Sequence, residues 1–417
     1  MSNHDDFDVV REAIKDLIAR LDNVPAPVRK AVQDNVDTLY TLVHEHRVPR
    51  VMLIGRRGSG KSMLINAIFD AEVRMTSSVR AATGEARWEP YERDGRRMEI
   101  LDTRGVQESS KPLEADTAAT PLESLLMAVR RRPPDVILFV VAATDVDVAM
   151  QGDLDALVRV QQEVARLSGE SPTVIPVLSK CDRLDPNDVP VPTDDPDKLA
   201  NLAEATETLL RHLKAATGLT ALADPVATVA NVIYDSATRR PKPGRDYRWN
   251  IGHLTTVVFE HLPDEAKLEF ARLQTLTEVR RQLALRVVNS TAVVCGGVGL
   301  QPIPIVDLPV LTGIQVGMIM VIAYIGGADM SVRTARDLLG ALGVNVVAGM
   351  AFRQLARSMI KLIPGAGTVA GGAVSGAIAA SGTKAIGAAA VSYFIDRNSI
   401  EKVRETYRRQ EAEPEAE

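Results

Sequence analysis

The sequence predicts an α/β domain with a mainly parallel sheet and one antiparallel edge strand, flanked on both sides by helical segments. Three observations carry this. Short continuous apolar runs alternate with helix-spaced stretches through the middle of the chain, the pattern of a parallel sheet covered by helices. One pair of strand-like runs is joined by Asp94-Gly95, the strongest short hairpin signal. The last third holds long stretches without charge, broken by proline and glycine. At 417 residues the chain is too long for one core, and two or three domains are expected.

Taken in order, the first 47 residues carry helical periodicity. Val9, Ile14, Leu17, Ile18 and Leu21 share one face before "NVPAPV" breaks the run, and a second helix is expected from Val28 to His46. The opening "MSNHDDFDVV" is acidic and does not resemble a secretory leader. Apolar strands are then expected at 50–55, 96–102, 135–143 and 173–179. The stretch "DRLDPNDVPVPTDDPDK" reads as a loop, followed by a helix from Leu199 to Thr217. The end, "RRQEAEPEAE", reads as a frayed helix end and a solvated acidic tail from 409.

Hydrophobic residues make up 46% and charged residues 25%, the balance of a chain with real cores, and the net charge of −5 argues against a chain-wide grip on nucleic acid. No nucleic-acid partner is expected. Two cysteines, Cys181 and Cys295, are too few for a disulfide framework and read as small buried apolar residues in a reducing compartment. The expected location is the cytoplasm, or the cytosolic face of a membrane.

Residues 55–62, "GRRGSGKS", match G-x-x-x-x-G-K-[ST] directly after an apolar strand and before the helical "MLINAIF". Gly55, Gly58, Ser59 and Gly60 let backbone amides close on phosphate oxygens, Lys61 neutralises β and γ charge, Ser62 offers a hydroxyl to Mg²⁺, and Met63 continues the helix whose N-terminus faces the anion. Two later stretches choose the nucleotide. Asp102, ending a strand in "LDTRG", can hold Mg²⁺ through water while the Gly105 amide meets the γ-phosphate. In "SKCD", Asp182 would accept from guanine N1 and its amino group, with the Lys180 stem over the ring. Asp102 has no second acidic residue beside it, which with "SKCD" disfavours an ATP-dependent kinase or transporter ATPase.

On "GRRGSGKS", "AATGE", "LDTRG", "SKCD" and "YDSAT", residues 49–262 resemble the Era-like branch of the translation-factor-class P-loop GTPases. The resemblance implies GTP, GDP and Mg²⁺ as ligands. It makes Thr83 the switch threonine that closes on metal and γ-phosphate, in competition with Thr76, Ser77 and Ser78, and it puts Ser236 and Ala237 near guanine O6. Ser179 stands where the family usually has asparagine, and a serine makes fewer bonds.

Val106 occupies the place of the water-orienting glutamine and has neither donor nor acceptor, as in the hydrophobic-substituted GTPases. Gln107, one residue along an extended segment, would point elsewhere. Arg57 and Arg104 are the candidates for stabilising transition-state charge, within the chain or across a nucleotide-bridged homodimer. Slow turnover by the isolated chain follows as an expectation.

The region after 263 resembles an uncharacterised C-terminal domain that accompanies Era-like GTPases, some of them membrane-associated. The arrangement also resembles that of the immunity-related and dynamin-like GTPases. By that resemblance, residues 1–48 pack with 263–408 as one all-α domain. Two readings stay open. Leu308 to Ala328 carries no charge and is long enough to cross a bilayer, with Arg281, Arg286, Arg333 and Arg336 flanking a hairpin bent at Pro302, Pro304, Asp307 and Pro309. Small residues in 365–382 would then pack helices closely in lipid. Alternatively the same segment is the buried central helix of a water-soluble bundle. The expectation is a GTP-hydrolysing switch whose helical domain serves membrane association, self-assembly or effector binding. Its competitor is a nucleotide-binding scaffold that barely turns over.

Overall fold

A computed structural model of the chain describes residues 26–72, 86–93, 96–102, 120–147, 150–273, 277–299, 308–328, 331–342 and 370–412. The chain divides into two compact units, Val48–Leu276 and Met1–Arg47 with Thr277–Glu417.

The first unit is built on a six-stranded sheet. Its strands are β1 (Arg50–Ile54), β2 (Trp88–Arg93), β3 (Arg96–Asp102), β4 (Val136–Ala142), β5 (Thr173–Ser179) and β6 (Val226–Ala227), in the order β2-β3-β1-β4-β5-β6. All neighbours are parallel except β2 and β3, which pair antiparallel. Every residue of β4 is buried, because a parallel strand covered on both faces is apolar without alternation. The β2–β3 register pairs Arg93 with Arg96 and leaves two residues for the turn, as the Asp94-Gly95 signal requires, although those two lie outside the described residues.

The helices of this unit, with the one that precedes it in the chain, are α1 (Ala26–His44), α2 (Lys61–Phe69), α3 (Pro121–Arg131), α4 (Gln151–Ser168), α5 (Pro196–Ala215), α6 (Ile251–His261) and α7 (Asp264–Leu273), where α1 belongs to the second unit. Two start on sequence-legible caps. Thr120 Oγ1 accepts from the Glu123 amide with Pro121 at the first helical position, and Asp195 Oδ1 accepts from the Lys198 amide with Pro196 likewise. α3, α4 and α5 cover a core centred on Met52, Ile54, Leu101, Ile137, Phe139 and Leu178.

Two boundaries and one element differ from the sequence expectation. The first unit runs to 276 rather than 262, because α7 packs on β3 and buries Ala266, Leu268, Phe270 and Ala271. A separate antiparallel ribbon of β7 (Val232–Tyr234) and β8 (Pro241–Asp246) follows β6, in a proline-rich stretch that carries no strand signal. The final helix continues to Ala412, beyond the 408 limit set for the tail.

The second unit is helical, with α1, α8 (Thr277–Gly299), α9 (Leu308–Ile325), α10 (Val332–Ala341), α11 (Ala370–Phe394) and α12 (Ile400–Ala412). α8 packs on α1 and, more extensively, on α11. At that contact a Cβ on Gly387 would lie 2.5 Å from both methyls of Val288, so the close approach depends on the missing side chain. α9 is buried along its length from Met318 to Ile325 and packs on α8, α10 and α11. Its 18 residues span about 27 Å, slightly short of a hydrocarbon core of ~30 Å. Among the described residues no helix is long and apolar enough to cross a membrane. The N-terminal helix expected around Val9 to Leu21, the proposed bend at Pro302 to Asp307, and 365–369 of the small-residue tract lie outside the described residues.

Candidate nucleotide site

In this sheet the chain steps from β1 to β3 on one side and later to β4 on the other. The C-terminal ends of these strands therefore flank a topological switch point, where open α/β sheets bind ligands. The loop from Gly55 to Gly60 leaves β1 there and feeds α2. Gly60 holds φ at +96°, a conformation that favours glycine, and so turns the chain directly into the first helical residue, Lys61.

Lys61 is only 8% exposed, and its ammonium donates to the Gly55 carbonyl at 2.6 Å and the Arg56 carbonyl at 2.9 Å. The loop is thus wrapped around the cation that would meet the phosphates. Ser62 and Met63 occupy the same first turn, half-buried, where free amides point out of the helix end. Ser59 is buried, and its Oγ has no hydrogen-bond partner among the described residues.

The second loop leaves β5. Ser179 ends the strand, Lys180 takes a left-handed conformation at φ 57°, and Asp182 sits in a short 3-10 turn, Cys181–Arg183. Ser179 Oγ lies 2.5 Å from the Ser59 carbonyl and 3.2 Å from the Val141 carbonyl. With a single proton it donates one strong bond at a time, fewer than an asparagine amide, yet it does bridge the two loops. Lys180 Nζ adds a second tie by donating to the Gly58 carbonyl. Burial, and then the neighbouring Arg183, lower the Lys180 pKa from its ordinary value. Behind the turn, the Cys181 amide donates to the Thr228 carbonyl at 3.3 Å, and burial pushes the Cys181 thiol up to about 12.

Asp102 is the last residue of β3 and registers with Leu53, so its backbone lies at the same sheet edge as the phosphate loop. Thr83, Arg104, Gly105, Val106 and Gln107, with Thr76, Ser77 and Ser78, lie outside the described residues. Ser236 and Ala237 fall in the turn between β7 and β8, where Asp235 Oδ1 accepts the Ala237 and Thr238 amides. These bonds hold the Asp235 carboxyl below its usual range. The segment that leaves the last strand of the main sheet and bonds to the loop after β5 begins at Thr228.

Arg57 is exposed. Its neighbour Arg56 is half-buried, with Nε 3.0 Å from Oδ2 of Asp153, a residue only 2% exposed in the first turn of α4. Sequence reading passed over Asp153, because an acidic residue in a first helical turn ordinarily serves the helix dipole. It passed over Thr228 too, because a two-residue strand has no periodicity to read.

Comparison with known proteins agrees with this geometry. Residues 50–180 match the family described as 50S ribosome-binding GTPase, and residues 264–411 match a domain of unknown function (DUF697). GTPase Der of Aromatoleum aromaticum is 31% identical over 103 residues, covering 22% of this chain and 23% of Der. GTPase Der of Bacillus thuringiensis is 37% identical over 91 residues, 22% of this chain and 20% of that protein. The match thus spans only about a fifth of those relatives' length. Among solved structures, Toc33 of Arabidopsis thaliana covers 58% of this chain and 94% of its own, with 16% identity and a TM-score of 0.37. Residues 50–180 form an α/β P-loop GTPase domain, similar over this stretch to part of Der, in a chain that continues into a largely helical region.

Proposed function

We propose that the chain binds GTP and GDP with Mg²⁺ and hydrolyses GTP slowly, as a switch whose helical unit passes the nucleotide state to an assembly or effector. The observation that carries this is the bonding between the two loops, Ser179 to Ser59 and Lys180 to Gly58. It joins the phosphate cradle to the turn bearing Asp182, which is what one nucleotide spanning both would need. Lys61 and the α2 amides would bind the β and γ phosphates, and Asp182 the guanine edge.

Ser62 and Asp102, whose backbones lie at the same sheet edge, carry the kinds of hard oxygen donor that Mg²⁺ takes, with Thr83 joining them by resemblance. Bound there, the ion would neutralise charge on the β and γ oxygens. Val106 cannot orient water, so turnover is slow until another group completes the site. Arg57, exposed on the phosphate loop, is our candidate for reaching the nucleotide of a second copy. The burial of α9 within its own unit favours assembly or effector docking over insertion of that helix into lipid. Two free buried cysteines fit a reducing cytoplasm.

The test is binding of a fluorescent GDP, competed with GTP and ATP, together with steady-state phosphate release across protein concentration. Equal competition by ATP overturns the guanine assignment. Release that rises more than in proportion to concentration supports a dimer. Val106 also favours a second reading, a nucleotide-bound scaffold, and tight GTP binding without release at any concentration would establish it.

A further inference from the structure

Lys198 is the most deeply buried charged side chain near the base loop, at 0% exposure, and among the described residues no carboxylate pairs with its ammonium. Lysine is rarely buried without such a partner. Here three main-chain carbonyls replace it: Asp182 at 3.0 Å, Leu184 at 2.5 Å and Pro186 at 3.2 Å. An ammonium has three protons, and each finds one acceptor. The Lys198 amide is itself fixed by the Asp195 cap, and one turn later Asn201 Nδ2 donates to the Asp185 carbonyl at 2.8 Å. The first turns of α5 therefore grip every residue but one of the stretch from 182 to 186 through Asp182, Leu184, Asp185 and Pro186.

We infer that Lys198 is the positioning residue of the base-reading turn: by fixing the main chain of Asp182 from the α5 side, it holds the Asp182 carboxylate where guanine needs it. On the other flank the Cys181 amide is held by the Thr228 carbonyl, so the 3-10 turn is clamped from both sides. Without the ammonium, three converging carbonyls repel one another and the turn opens. The phosphate loop bonds of Lys61 are untouched by such a change. The loss should therefore fall on the base and not on the phosphates. The inference rests on the guanine site proposed above.

The experiment compares affinities for GDP and for IDP, which lacks the exocyclic amino group that Asp182 would bind, in the full chain and in Lys198→Met and Lys198→Arg. Wild type is expected to prefer GDP by about 10- to 100-fold, the value of a charged hydrogen bond. Lys198→Met should bring the GDP/IDP ratio close to one, with IDP weakened less than GDP because it loses only the N1–H bond to Asp182, and Lys198→Arg, which keeps donors and charge, should restore part of the preference. A wild-type ratio in Lys198→Met overturns the inference. A wild-type protein without any preference overturns the guanine site itself, a separate outcome. Should Lys198→Met fail to fold, Lys198→Gln, which removes the charge and one donor while keeping a polar end, takes its place, and a wild-type GDP/IDP ratio there counts against the inference equally.

Discussion

The two units differ in which buried polar side chains hold loops. In the first, Lys61, Ser179 and Lys198 reach across the fold to main-chain carbonyls of loops. In the second, buried hydroxyls stay at home: Thr291 bonds to the Val287 carbonyl and Thr383 to the Ala379 carbonyl, each one turn back in its own helix. The first arrangement fixes loop geometry at the cost of leaving several carbonyls unpaired if one side chain is removed. The second satisfies a hydroxyl without fixing anything beyond its helix. Loss of a buried polar residue should therefore damage function in one unit and little more than packing in the other.

The largest effect expected is from Lys61→Ala. It removes the charge meant for the phosphates and releases the Gly55 and Arg56 carbonyls, so GDP affinity should fall by about 100-fold or more, read by equilibrium titration. Wild-type affinity in this variant would remove the phosphate loop from the site.

The two cysteines give one reporter in each unit. Burial pushes both thiols up to about 12, so neither ionises appreciably at pH 8, and alkylation requires opening of the surrounding structure. GDP at a hundred times its dissociation constant should slow Cys181 modification by about 100-fold, while Cys295 is unaffected if the helical unit opens on its own. Equal slowing of both would show that the units open together. Mass spectrometry of alkylated peptides distinguishes these outcomes.

Much of this comparison was legible in the sequence on one side only. Strands β1, β4 and β5 declared themselves because buried parallel strands are continuous apolar runs, β3 through the Asp94-Gly95 hairpin signal before it, and the phosphate loop and "SKCD" occur at strand ends where the chemistry needs them. What the sequence did not display was local in extent and tertiary in cause. "YDSAT", placed near guanine O6 by resemblance, spans the end of β7 and the turn into β8, in a ribbon that follows a strand of two residues. Lys198, in the first turn of a polar helix, had every appearance of a solvated side chain. In the helical unit no sequence signal separates a lipid-facing helix from a protein-buried one, since both are apolar all round, and the packing of α9 on three helices is information the sequence does not display.

Gly387→Leu strikes the helical unit where α8 and α11 approach most closely. The added side chain must displace Val288, and overpacking of this kind costs about 2 kcal/mol after the gain in helix propensity. Chemical denaturation should register the loss, with GDP affinity unchanged. A matching fall in GDP affinity would mean that packing in the helical unit is transmitted to the nucleotide.

The smallest effect is the most diagnostic of the contrast. Gln315 is buried in α9 and donates from Nε2 to Thr383 Oγ1 at 2.9 Å, a side chain-to-side chain bond in an apolar core. Replacing it with leucine removes that bond but also removes the cost of burying an amide, and Thr383 keeps its own acceptor in the Ala379 carbonyl at 2.7 Å. No donor is orphaned, so Gln315→Leu should leave stability within about 1 kcal/mol of wild type. Lys198→Met, by the same reasoning, strips three carbonyls at once. If Gln315→Leu were instead the more damaging change, as measured by the denaturation midpoint, this pair would be specifying the packing of α9 against α11, and the helical unit would share the directional bonding here assigned to the nucleotide unit alone.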